Sequence, residues 1–94
     1  MESKEFSWAY VTASRMLKQG PCELLYAYLV PSAASTLNYI RDGVDANGDL
    51  IVNLECAVVT GHEFKPPKPL YCNKGLYITI GTGTTGIFVQ WRNL

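Results

Sequence analysis

The sequence has few charged residues, and neither sign of charge is in excess. Lysine plus arginine number 8, and aspartate plus glutamate also number 8. Charged residues make up only 17% of the chain, where about 25% is usual for soluble domains. No cluster of lysine or arginine occurs. Because nucleic acids and acidic membrane surfaces attract such clusters, we expect neither to be a partner.

Closely spaced cysteine pairs and long apolar runs are both absent from the sequence. The three cysteines, Cys22, Cys56 and Cys72, are an odd number at wide spacings, which indicates free thiols in a reducing cytoplasm and no disulfide framework. Residues 1–5 lack the apolar stretch that would open a signal peptide. No run approaches the roughly 18 apolar residues of a membrane-spanning helix. The sequence therefore predicts a protein that is made in the cytoplasm and does not insert into a membrane.

Short segments of alternating apolar and polar residues, separated by turn signals, fill most of the chain. Apolar residues reach 48%, and no segment longer than one helical turn has a persuasive helical period. This pattern predicts an all-β, single-domain β-sandwich over residues 1–94, jelly-roll-like, with about seven to eight short antiparallel strands. Within it, residues 1–14 are an interface arm or an edge strand. The candidate strands are 6–13, 15–19 (or one helical turn), 22–30, 36–41, 50–59, 70–72, 76–80 and 87–92.

The last twenty residues predict a β-hairpin. Residues 76–80 and 87–92 both alternate, and only glycine and threonine lie in the connecting run 81–86. The same run matches the Gly-x-Gly-x-x-Gly fingerprint of dinucleotide sites, which requires a helix after the last glycine. Since β-branched and aromatic residues follow here, the pattern excludes a nucleotide site.

A second motif, residues 45–49, resembles the start of a calcium loop because carboxylate and amide oxygens occupy alternate positions. Leu50 stands where the loop needs glycine, and Cys56 stands where it needs a bidentate glutamate. A polar turn built on Asn47-Gly48 accounts for the same residues. We therefore predict a turn and no metal.

His62 is the only histidine, and no nucleophile motif surrounds any of the three cysteines. The cysteines also lack the paired spacings of a zinc site. The sequence accordingly predicts no catalytic residue, no cofactor and no enzymatic activity. An enzyme would require His62 to lie within hydrogen-bond reach of a cysteine or serine in a concave site.

Tryptophan and tyrosine are the most conspicuous side chains. Such rings can stack on sugars or on single-stranded bases, although the absence of a basic patch argues against bases. The alternative interpretation is that about half of the rings fill the core and the rest form a protein–protein interface, where these residues are enriched. The rings concerned are Trp8, Tyr10, Tyr26, Tyr28, Tyr39, Tyr71, Tyr77 and Trp91.

Four segments form a recognisable layout: a Gly-Pro before a strand (20–26), a strand closing on Asp-Gly (40–43), a late Gly-Leu-Tyr strand (73–78) and the final strand (87–91). Together these segments resemble small structural proteins of tailed bacteriophages. The resemblance implies a β-sandwich that decorates or cements a capsid, or that sits at the head–tail junction or in the tail, commonly as an oligomer. It brings no catalytic residues with it. The proline-rich stretch 65–69 and the aromatic N-terminal segment do not match the pattern.

Our hypothesis is therefore a non-enzymatic virion structural protein, a capsid decoration or cement subunit that self-associates, with a trimer favoured, and binds the major capsid protein. We expect it on the capsid surface or in the head–tail region. Phe6, Trp8 and Tyr10 are the predicted interface residues, because a short amphipathic strand near a chain end is well placed to pair with a neighbour. The alternatives are a head–tail connector or tail component, and a small carbohydrate-binding module.

Overall fold

The computed structural model describes residues 7–32, 36–56 and 61–94, and these residues form nine β-strands and no helix. The strands make two antiparallel sheets that pack face to face, which confirms the predicted β-sandwich. Arg15–Gln19 is a strand and not a helical turn. The strands are β1 (Ser7–Val11), β2 (Arg15–Gln19), β3 (Cys22–Pro31), β4 (Thr36–Asp42), β5 (Asp49–Cys56), β6 (His62–Phe64), β7 (Leu70–Cys72), β8 (Gly75–Thr79) and β9 (Thr84–Asn93).

The strand pairs are nested along the chain. β4 pairs with β5, β3 with β6 and β7, β2 with β8, and β1 with β9, so the chain is one long hairpin of strand pairs. Rolling this hairpin brings β9 beside β3 and β8 beside β4. Sheet A then has the order β1-β9-β3-β6, with β7 also on β3, and sheet B has the order β2-β8-β4-β5. This is the jelly-roll topology.

The described residues contain one strand more than the upper end of the predicted number, because a proline-rich segment divides one strand position in two. β6 and β7 both pair with β3 and lie on the same side of it, opposite β9. Between them, Pro66, Pro67 and Pro69 have no backbone N–H to donate to a ladder. The segment therefore leaves the sheet and returns to it.

The core lies between the inward faces of the two sheets. Alternate residues of each strand point into it, as the period of two predicts. In β8 and β9 these are the residues that the sequence pattern selects. The buried apolar side chains are Val11, Cys22, Leu24, Ala27, Leu29, Ile40, Leu54, Cys72, Leu76, Ile78, Ile87, Val89 and Trp91.

The predicted terminal hairpin is wrong in its pairing, although both of its strands exist. β8 belongs to sheet B and β9 to sheet A, so the glycine-threonine run crosses from one sheet to the other. At the crossover the backbone of Gly81 passes against β4, where a Cβ atom would lie 2.1 Å from the Leu37 carbonyl oxygen. Only glycine permits this approach.

A buried asparagine holds the crossover in place. The side-chain amide of Asn38 donates to the hydroxyl of Thr36 (2.7 Å) and to the carbonyl of Leu54 (3.0 Å). Its oxygen accepts from the backbone N–H of Gly81 (2.7 Å) and from the hydroxyl of Thr84 (2.9 Å). Asn38 thereby uses both donors and both acceptor positions, and it ties β4 and β5 to the start of β9.

One strand departs from the predicted alternation. The sequence places Leu50, Val52 and Leu54 on one face of a strand at 50–59, but the register shifts between the Ile40–Val52 and Arg41–Leu50 pairs. Ile51 is the extra residue of this β-bulge. Leu50 therefore faces outward and is 50% exposed, whereas Leu54 is buried. The part of the predicted strand after Cys56 lies outside the described residues up to position 60.

Candidate functional site

Two of the three predicted interface residues lie side by side on the outer face of sheet A. Trp8 and Tyr10 point outward from β1 and are 64% and 43% exposed. β1 is an edge strand that pairs with β9 on one side, and no described strand lies on the other side. Phe6 lies outside the described residues. The structure thus places the N-terminal aromatic pair on an accessible edge of the sandwich.

Three further rings extend this surface across the sheet. Phe88 of β9 lies opposite Tyr10 of β1 and opposite Tyr28 of β3, so these three residues form one row across the strands. Gln90 lies in the same way between Trp8 and Tyr26 and forms a second row with them. We call this surface the aromatic face, defined by Trp8, Tyr10, Tyr26, Tyr28 and Phe88.

Phe88 is the centre of the aromatic face. Its ring centroid is 5.8 Å from that of Trp8, with the rings tilted by 32°, and 6.2 Å from that of Tyr26, in an edge-to-face arrangement at 63°. Both distances lie within the roughly 4.5–7 Å range of favourable aromatic pairs. The rings therefore support one another within a single chain and present a preorganised apolar surface.

A glycine provides the space for one outer ring. A Cβ atom at Gly86 would lie 2.6 Å from the ring of Tyr10. Because Gly86 has no side chain, the Tyr10 ring lies directly over the backbone of β9. The tyrosine is consequently held against the sheet even though its position is on the edge strand.

Polar and charged groups border the aromatic face. Glu63 of β6 lies opposite Tyr28, and beyond Gln90 the Arg92 guanidinium pairs with the Glu23 carboxylate at 2.8 Å. Burial raises the pKa of Tyr26, and a hydrogen bond with Glu63 raises it further. The Tyr26 hydroxyl therefore keeps its proton and donates it to the Glu63 carboxylate, which joins β3 to β6 at this border.

The sequence pattern does not predict that these five rings share one face, because β3 contains a second β-bulge. A strict period of two would put Leu24, Tyr26 and Tyr28 on the same side of β3. The register shifts between Leu24 and Tyr26, which leaves Leu25 as the extra residue. Leu24 is therefore buried while both tyrosines point outward. The sequence did contain one signal. Phe88 and Gln90 alternate with the apolar inward residues of β9, so they are expected on an outer face, as Trp8 and Tyr10 are in β1.

Residues 22–30, which form most of β3, are apolar on both faces, and this pattern predicts a central strand covered on both sides. β3 is central, between β9 on one side and β6 and β7 on the other, and its inward face is buried. On its outward face Tyr28 is still 37% exposed, although the backbone of Gly61 lies against its ring. The described residues therefore cover this face of β3 only in part.

The other candidate sites have structural explanations. Residues 45–48 of this motif form a turn, in which the carboxylate of Asp45 accepts from the N–H of Asn47 at 2.8 Å, and Asp49 begins β5. Gly86 of the fingerprint lies inside β9, so no helix follows it. His62 is exposed on β6, opposite Leu29. In the ranges that the structure describes, no three histidine, cysteine or acidic residues are grouped as a metal ion would require.

Asp42 has a structural role at the end of β4. Its carboxylate accepts from the backbone N–H groups of Asn73 (3.0 Å), Lys74 (2.8 Å) and Gly75 (3.3 Å). Burial alone would raise the pKa of Asp42, but these three donors and the Lys74 ammonium outweigh it, and the net pKa is lowered. The ionised carboxylate therefore joins the end of β4 to the turn between β7 and β8.

Fold and site together define a jelly-roll β-sandwich with an exposed aromatic face. No family model, curated protein or solved structure matches this chain. No helix of the described residues is long and apolar enough to cross a membrane. The exposed aromatic face is therefore the main indication of what this protein does.

Proposed function

We propose that this chain is a non-enzymatic structural protein of a phage virion, a capsid decoration or cement subunit that self-associates and binds the major capsid protein. The observation that supports this proposal is the aromatic face. Trp8, Tyr10 and Tyr28 are large exposed rings on one side of one sheet, with two more rings between them. Tryptophan and tyrosine are enriched in protein interfaces because they bury much area with little loss of side-chain entropy.

The edge of sheet A adds to this argument. β1 contains no charged residue and no proline, which are the usual means of preventing an edge strand from pairing with another chain. The zero formal charge also minimises repulsion between copies. A small subunit that repeats one modest interface around a ring or over a capsid gains avidity without any chemistry. We therefore expect a trimer or a larger closed ring.

Topology and sequence pattern favour the same class of protein. Jelly rolls are used in viral capsid domains and in lectins, and residues 20–26, 40–43, 73–78 and 87–91 resemble small phage structural proteins. A head–tail connector or a tail component would use the same aromatic face. These positions differ from decoration only in their place on the particle.

The first test is the mass of the purified chain in solution, measured by light scattering across a dilution series. We expect a trimer or larger assembly that persists on dilution. A strict monomer at every concentration would contradict self-association through the aromatic face.

The second test is immunogold labelling of purified virions with an antibody raised against the chain. Gold over the whole capsid surface supports a decoration subunit, and gold confined to the neck or tail supports a connector or tail component. Virions that carry no label and no peptide of this chain by mass spectrometry would contradict a virion protein of any kind.

A carbohydrate-binding module is the second candidate, and the two rows of rings favour it specifically. Gln90 places amide donors and acceptors between Trp8 and Tyr26, and Glu63 lies at the border. A flat apolar surface with a few polar groups suits the face of a sugar ring. The test is a glycan array with the wild type and with Gln90→Ala. Binding that requires Gln90 supports this candidate, whereas an empty array excludes it for the glycans tested.

A further inference from the structure

Two of the three cysteines lie directly opposite each other in sheet A. Cys22 is the first residue of β3, Cys72 is the last residue of β7, and the two are in register. Opposite residues of an antiparallel pair have Cα atoms about 4.5–5.5 Å apart, within the roughly 4.4–6.8 Å that a disulfide spans. Both are buried free thiols.

We propose that Cys22 and Cys72 form a reversible intramolecular disulfide when the folded protein meets a low-molecular-weight disulfide such as oxidised glutathione. This inference assigns a modification site and does not depend on the proposed virion function. The odd number of cysteines hides the pair in the sequence, because nothing in the spacing of Cys22, Cys56 and Cys72 indicates which two meet.

The environments of the two thiols differ in a way that suits this reaction. The hydrogen bond from Cys72 lowers the pKa of the Cys22 thiol, against the opposing effects of burial and of the Asp42 charge. The same pairing, together with burial, raises the pKa of Cys72. Cys22 is therefore the thiol that ionises first and attacks first, since the thiolate is the nucleophile.

The disulfide forms by two successive thiol–disulfide exchange steps. The Cys22 thiolate attacks one sulfur of oxidised glutathione, forms a mixed disulfide and releases one glutathione thiolate. Cys72 then loses its proton and attacks the Cys22 sulfur, which releases the second glutathione thiolate. The protein loses two electrons and two protons, and one molecule of oxidised glutathione is reduced to two of the thiol form.

Access to the buried pair requires only a local opening. β7 has three residues and pairs only with β3 in the described part of the chain. Pro69 immediately before it has no N–H donor, and Tyr71 in its middle is exposed. Such short peripheral strands open at far lower cost than the whole domain. Oxidation would then join β7 covalently to the central strand, which a reducing cytoplasm would prevent.

The test uses the folded full-length chain, incubated with oxidised glutathione and then digested with a protease that cleaves after glutamate. This digestion separates the cysteines into peptides 6–23, 56–63 and 64–94. We expect a monomer lighter by two hydrogen atoms, a cross-linked pair of peptides 6–23 and 64–94, and one free thiol in 56–63. A reductant should restore three thiols.

Two controls make the outcome decisive. The Cys56→Ala variant should form the same cross-link, and the Cys72→Ala variant should stop at the glutathione adduct of Cys22. The chain oxidised in urea should give a mixture of pairings. Three persistent thiols in the folded protein, a link to peptide 56–63, or the same mixture with and without urea would each overturn the proposal.

Discussion

The two sheets of this sandwich share a core, but their outer faces and interiors differ. Outside, the aromatic face of sheet A has five rings in two rows with only Gln90 among them, and Tyr71 of β7 is a further exposed ring on this sheet. On sheet B several outward side chains have polar partners, although exposed Met16 stands opposite Tyr77. Arg41 lies 4.9 Å from the ring centroid of Tyr39 and donates to the Gly48 carbonyl at 3.2 Å, while Glu55 stands opposite Leu37.

The interiors show the same contrast. Every buried side chain from the middle strands of sheet A is apolar, whereas Thr36 and Asn38 of sheet B are fully buried and hydrogen-bonded. In sheet B, these polar groups therefore form hydrogen bonds within the chain. Sheet A has large rings outside that stay exposed in the described chain, namely Trp8, Tyr10 and Tyr28. The difference indicates that sheet B fastens the fold together and that sheet A is available for binding.

The largest expected effect is a loss of folding stability when a buried polar side chain of sheet B is removed. Asn38→Ala removes the hydrogen bonds to the Leu54 carbonyl, the Gly81 N–H and the Thr84 hydroxyl at once. The Thr84 hydroxyl keeps another partner, the hydroxyl of Thr36. Because buried polar groups without partners cost about 1–3 kcal/mol, we expect a loss of about 3 kcal/mol in the free energy of unfolding, measured by urea denaturation. Asn53→Ala, at an exposed position on the same sheet, should change it by less than about 0.5 kcal/mol. Equal losses would show that the buried network is not what fastens sheet B.

The next largest effect is on self-association, and it is tested by substitutions on the outer faces of the two sheets. The double variant Trp8→Ala, Tyr10→Ala removes two exposed rings and should leave the fold intact. If the aromatic face is the self-association surface, the dissociation constant should rise by about 30-fold, as hot-spot truncations worth about 2 kcal/mol would produce.

Leu37→Ala is the matched control for this comparison. Leu37 is 42% exposed on the outer face of sheet B, close to the 43% of Tyr10. Light scattering and sedimentation should detect no change in its assembly. If the sheet B variant dissociates as readily as the sheet A variant, the assignment of binding to sheet A is wrong.

A smaller effect concerns the acid sensitivity of the end of β4 in sheet B. The pKa of Asp42 is lowered in the folded protein, so the unfolded chain binds the proton first as the pH falls. This contribution is present above the unfolded value of about 4 and is lost as the pH falls through the folded value. Asp42→Asn should cost about 1 kcal/mol at neutral pH and should make unfolding less dependent on pH below about 4.

The control is Asp49→Asn, which breaks the exposed 3.4 Å ion pair with Lys74. Exposed ion pairs contribute little, so this variant should keep the acid dependence of the wild type. Urea denaturation at a series of pH values distinguishes the two variants. An unchanged pH profile in Asp42→Asn would contradict the capping role of this carboxylate.

The smallest effect is a change in one titration on sheet A. Glu63→Gln should lower the pKa of Tyr26, followed by NMR of its ring, while burial keeps it above its ordinary value. Glu55→Gln on sheet B should have no effect. If the Tyr26 pKa is the same in both variants, the hydrogen bond between Tyr26 and Glu63 is contradicted.

Much of the fold follows from local patterns. Alternation located β4, β8 and β9, a continuous apolar run located β3, and the Asp42-Gly43 turn signal placed the end of β4 within one residue. The candidate site was only partly predictable. Trp8 and Tyr10 were on the correct face because β1 is a regular strand. The sequence pattern places Tyr26 and Tyr28 on the same side of β3 as Leu24. The bulge at Leu25 reverses which residues face outward, and the composition gives no sign of it.

The sequence by itself determined the β-sandwich class, most strand positions and the inward residues of the regular strands, because a period of two is a local property of the backbone. Tertiary structure alone decided the pairing of strands far apart in the chain. It placed β8 and β9 in different sheets, set Cys22 opposite Cys72, and brought Phe88 between Tyr10 and Tyr28. These contacts join residues up to 78 positions apart, as from Tyr10 to Phe88. They depend on how the long hairpin rolls, which no short window of residues encodes.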